Sequence, residues 1–113
     1  MFGVVERTEV YEGVMVSSEG AESSVKLTLV YSKENSVVTG VLLHNEVEYG
    51  VVCLWVDEND IIAAFKDRES DNRGCFHLKL NEVTNGKFGG EISITTMPVK
   101  QTTDWQLQLS LVK

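Results

Sequence analysis

Val25-Lys26-Leu27-Thr28-Leu29-Val30-Tyr31 carries apolar side chains at every odd position, with Lys26 and Thr28 between them. Successive residues of a strand point to opposite sides of a sheet, so this stretch reads as a strand with one buried and one wet face. The same period of two returns at Phe76, Leu78 and Leu80, at Phe88, Gly90, Ile92 and Ile94, and at Trp105, Leu107, Leu109 and Leu111. A helix would repeat its apolar residues every three or four positions, and no segment does so convincingly.

Polar punctuation separates these runs. Ser17–Ser24, Ser32–Ser36, Asp57–Asp60, Lys66–Gly74 and Met97–Thr103 read as turns and loops. Asn85-Gly86 is the strongest hairpin signal, and it predicts a type I′ turn with positive φ at both residues. The strands expected are 8–16, 25–32, 37–44, 47–57, 60–66, 75–83, 87–96 and 104–112. Residues 57–69 also suit a short helix capped by Asp57 or Asn59, but the β-branched pair Ile61-Ile62 favours a strand. Gly13, Gly40, Gly50 and Gly90 lie inside strands, where glycine often marks a bend. The fold expected is all-β: one domain over 1–113, a single antiparallel meander of about eight strands, closed or nearly closed into a small barrel.

The chain has 113 residues, enough to bury a core without staples. With 42% hydrophobic and 24% charged residues it is not a disordered or collagen-like chain. Seventeen acids against ten bases give a net charge of −7. Residues 1–60 hold eleven acids and three bases, so the excess sits in the first half. Phosphate neutralisation supplies most nucleic-acid affinity, so no nucleic-acid partner is expected, and an anionic membrane surface is equally unsuited. The longest apolar runs, such as Val51–Val56, fall far short of the roughly 20 residues that span a bilayer. Met1–Val10 shows no basic region leading into an apolar stretch, so a cytoplasmic location is expected. Cys53 and Cys75 are then expected as free thiols.

The Tyr11-Glu12-Gly13-Val14-Met15 stretch opens the meander with a glycine inside the strand but lacks the Gly-x-Trp of lipocalins. Eight short antiparallel strands in sequence order, over nearly the whole chain, nevertheless resemble a small calycin-type barrel, the group of avidins, lipocalins and fatty-acid-binding proteins. The resemblance is architectural. It implies a barrel with room for an internal cavity and assigns no residue roles.

Chemistry is sparsely signalled. Cys75 and His77 share one strand face, but zinc needs three or four ligands, and only His44 and Cys53 remain as soft donors. No metal, cofactor or catalytic residue is therefore expected. Asp57, Glu58 and Asp60 lack the spacing of a calcium loop. Tyr31, Tyr49, Trp55 and Trp105 are the candidate ligand-binding residues, because an eight-stranded barrel is just wide enough to be filled by side chains or to hold one small ligand. Three function classes are consistent with this: a binding barrel for a small apolar or aromatic ligand, a dimeric interaction module with a filled interior, and a small barrel enzyme using Tyr, Glu and His as acid and base. Binding or interaction is favoured over catalysis.

Tyr49–Val56 is the anomaly. Tyr49, Val51, Cys53 and Trp55 point one way, and Val52, Leu54 and Val56 the other, so the strand is apolar on both faces. A barrel wall needs one apolar face only, and the outer set must meet something other than water. The covering groups considered are Phe2, Val4 and Val5 of the N-terminal segment, or a second copy of the chain. Twofold homodimers are the commonest oligomers, so a homodimer or higher homo-oligomer is expected through Val51, Val52, Leu54 and Val56, with either parity outward.

Overall fold

A computed structural model describes residues 6–32 and 37–112. It contains β1 (Glu6–Ser17), β2 (Glu22–Ser32), β3 (Val37–His44), β4 (Val47–Val56), β5 (Asp60–Asp67), β6 (Arg73–Thr84), β7 (Lys87–Met97) and β8 (Gln101–Leu111). Each strand pairs antiparallel with the next, and β8 returns to β1, so the meander closes into a barrel. Residues 60–67 are a strand, as the Ile61-Ile62 pair argues, and no helix occurs among the described residues. Among the described residues, no helix is long and apolar enough to cross a membrane. The architecture is consistent with a calycin-like barrel. Phe2, Val4 and Val5 lie outside the described residues.

The period-two pattern becomes the core directly. Val25, Leu27 and Leu29 of β2, Phe76 and Leu78 of β6, Ile92 of β7, and Leu107 and Leu109 of β8 are all buried. They meet Met15, Leu42, Val51, Ala63 and Phe65 from the other strands, with Leu80 and Ile94 half-buried against them. No polar or charged residue is fully buried among the described residues. The waist of the barrel is thus packed with side chains, and open space lies towards its ends.

The glycines mark where strands crowd. A Cβ on Gly13 would overlap the carbonyl oxygen of Gln108 across the β1–β8 seam, and one on Gly90 would overlap that of Lys79. Gly50 differs: nothing lies closer than 4.0 Å to the position its Cβ would take, so it opens a hollow instead of relieving a contact.

Two turns correct the sequence reading. Asn85-Gly86 does sit in a hairpin, but only Gly86 has positive φ, at 77°, and the ladder slips by one residue at Val83. A bulge supplies the local twist there, so a second left-handed residue is not needed. The two-residue turn with both φ positive is Asn45-Glu46, at 51° and 68°, between the paired residues His44 and Val47.

Candidate functional site

The start of β1, the end of β2, the β4–β5 turn and the β6–β7 hairpin surround one end of the barrel. They enclose a cavity of about 450 Å³, whose floor is Leu29, Leu78, Leu80 and Ile61. Phe88 and Tyr11 form one wall, meeting edge to face with centroids 5.4 Å apart. Arg7, Glu9, Tyr31 and Glu82 bring polar groups to the same space, and Asp57 and Glu58 rim it.

Glu9 is the hub. It shares the inward parity of Tyr11 and Met15, which turns a carboxylate into the barrel instead of into water. Its Oε1 accepts from the Tyr11 hydroxyl at 3.1 Å and from the Tyr31 hydroxyl at 3.0 Å. Its Oε2 faces Arg7 Nε at 3.4 Å, and the Arg7 guanidinium lies over the Tyr31 ring, 4.2 Å from the centroid. Burial first, then the Glu9 charge and hydrogen bond, push the Tyr31 phenol up to about 12 and the Tyr11 phenol further still. Both phenols therefore hold their protons at neutral pH and act as donors. The cluster is a fixed polar anchor beside an apolar floor.

The sequence candidates are scattered by the fold. Tyr31 lies in this mouth. Tyr49 is at the opposite end, packed edge to face on Phe65, with burial and Asp67 raising its phenol. Trp105 is also at that end, against His44, its Nε1 donating to Thr103 Oγ1 at 3.1 Å. Trp55 is outside the barrel altogether. The ladder slips between Cys53 and Trp55, the extra residue reverses parity, and both Leu54 and Trp55 face outward at 67% and 58% exposure. The proposed interface residues divide for the same reason. Val51 is 3% exposed and belongs to the core, while Val52 and Leu54 are on the outer wall. Val56, beyond the bulge, turns back to the rim of the mouth.

Arg7, Glu9, Glu82 and Phe88 are not singled out as site residues by the sequence, whereas Tyr11, a cavity-lining candidate by its aromatic ring, does lie in the mouth. The available signal was parity: Arg7 and Glu9 stand on the inward face ahead of Tyr11 and Met15, and Glu82 follows Leu78 and Leu80 in register.

Other chemistry is spread thinly. Cys53 faces inward, where burial raises its thiol and makes it a poor nucleophile, and Cys75 is on the outer wall, so the two sulfurs lie on opposite sides of the sheet. His77 Nε2 is 2.9 Å from Asp60 Oδ1 on the outer wall, away from the mouth. Among the described residues, no three His, Cys, Asp or Glu side chains converge as a metal site. Comparison with protein-family models, with curated proteins and with solved structures finds no match.

Proposed function

We propose that this protein binds a small apolar or aromatic ligand in the mouth of its barrel. One observation carries the reading: a cavity of about 450 Å³ that combines an apolar floor with the convergent Glu9, Tyr11, Tyr31 and Arg7 cluster. Small-molecule sites typically combine a volume of roughly 300–1,000 Å³ with an apolar lining and a few placed polar groups. Leu29, Leu80 and Phe88 would take the ligand's body, and the anchored polar cluster would set its orientation. Four carboxylates (Glu9, Asp57, Glu58 and Glu82) against the single Arg7 disfavour an anionic ligand.

The test is fluorescence titration with N-phenyl-1-naphthylamine, a neutral aromatic probe. Saturable binding of one probe per chain is expected, and Leu80→Trp should abolish it by filling the cavity without changing the β-sheet circular dichroism. Absence of saturable binding at high micromolar probe, or binding unaffected by Leu80→Trp, would overturn the reading.

A further inference from the structure

We infer that the outer face of β4 and β5 docks on the same face of a second copy of this chain, with Trp55 of each copy seated in the hollow over Gly50 of the other.

The face is built for contact. Val52, Leu54, Trp55 and Ile62 are 49%, 67%, 58% and 40% exposed and adjoin across the β4–β5 ladder. Together they make one contiguous apolar patch, the kind of surface that marks a contact site. The bulge at Cys53/Trp55 brings two large apolar side chains of one strand to the water side together. Nothing in the core requires that, because Val51 and Cys53 already fill the inward positions of β4.

The register makes the surface self-complementary. Val52 pairs with Ala64, Trp55 with Ile62, and Gly50 with Lys66. Counted along the ladder, Trp55 and Gly50 therefore lie at equal steps on either side of Val52. A twofold axis lying in the interface and crossing the strands at Val52 and Ala64 superposes β4 on β4 in the reverse direction. Trp55 then faces Gly50 of the partner copy, where no side chain stands, and Ile62 faces the partner's Lys66. The Lys66 Nζ is turned aside to donate to the Ser70 carbonyl at 3.0 Å, which leaves its aliphatic stem on the surface. Small central residues, Val52 and Ala64, let the two sheets approach at the usual spacing of about 10 Å.

Charge selects a second copy over a basic partner. The chain carries −7, so copies repel wherever their acids meet. On this face Glu48 is paired with Arg68 at 3.1 Å, Asp60 Oδ1 is hydrogen-bonded to His77 Nε2 at 2.9 Å, and the cations Lys66 and Lys79 offset the remaining acid. A basic protein would be drawn to the carboxylates of the mouth instead.

Sedimentation velocity of the unmodified protein at tens of micromolar tests this. A species of twice the chain mass is expected. Trp55→Glu and, separately, Gly50→Lys should each give a folded monomer, weakening association by roughly a hundredfold or more. Gly50→Lys keeps the test decisive if Trp55→Glu fails to fold, because the space above Gly50 is open. An unmodified protein that sediments as a monomer overturns the inference and assigns the strip to another segment of the chain or to a different protein. A dimer that survives Gly50→Lys overturns it too.

Discussion

Leu29→Ala tests the core and the floor of the mouth together. Leu29 is 1% exposed, stands opposite Glu9 on β1 and Gly40 on β3, and contributes to the bottom of the cavity. Truncation removes three carbons, a transfer loss of roughly 2.4 kcal/mol at about 0.8 kcal/mol for each. Gly40 has no side chain to fall into the gap, so part of the volume stays empty. A residual void on the order of 40 Å³ adds about 1 kcal/mol. The expected destabilisation is therefore about 3 kcal/mol, and Leu107→Ala, equally enclosed at the waist, should cost a similar amount. Urea unfolding followed by circular dichroism measures it. With a slope of roughly 1.5 kcal/mol/M, the midpoint should fall by about 2 M while the slope stays the same. A loss below about 1 kcal/mol for both variants would refute the inward register of β2 and β8, since no enclosed leucine is removed so cheaply.

Gly90→Ala should prevent stable folding or lower the melting temperature steeply, because its Cβ would overlap the Lys79 carbonyl oxygen, whereas Gly50→Ala should be nearly neutral; differential scanning calorimetry of the pair checks this. Glu46→Gly should stabilise by about 1 kcal/mol in the same assay, because a non-glycine residue at φ 68° carries a steric cost that glycine avoids. Burial holds the His44 imidazole below its ordinary 6.5, and its Nε2 is buried without a hydrogen-bond partner. The unfolded chain then binds a proton that the folded chain refuses, so this contribution to stability is complete above about pH 6.5 and falls as the pH drops towards the depressed folded value. Urea unfolding across that range should show the loss, and His44→Phe should flatten it. Alkaline absorbance titration should find Tyr31 ionising at about 12, and Glu9→Gln should bring that value down.

Much of the fold was legible because its cause is local. Leu27, Leu29, Leu107 and Leu109 announce an inward face by alternation alone, and polar turns between strands leave a meander few alternatives. The β3–β4 and β4–β5 connections were placed to within a residue, since His44 and Val47, and Val56 and Asp60, bound short polar segments. What the sequence concealed was parity wherever the ladder slips. Trp55 reads as inward from Tyr49, Val51 and Cys53, and a single bulge residue reverses it. The mouth was concealed for a different reason. Glu9 and Arg7 look like an ordinary wet strand end, and only the three-dimensional approach of Tyr31, far along the chain, makes Glu9 an anchor.

The seam between β1 and β8 has a consequence for how the chain reaches this state. Seven of the eight ladders join strands that are neighbours in sequence and can form hairpin by hairpin, while the last joins Tyr11 to Leu111. Bringing such distant residues together carries a loop-closure cost that no nearby contact shares. Until it happens, the curled sheet presents two raw edges, each a template for a strand of another molecule. Afterwards it presents none. Misassembly is therefore a hazard of the minutes or milliseconds before closure, and crowding during synthesis threatens this chain more than crowding of the finished barrel.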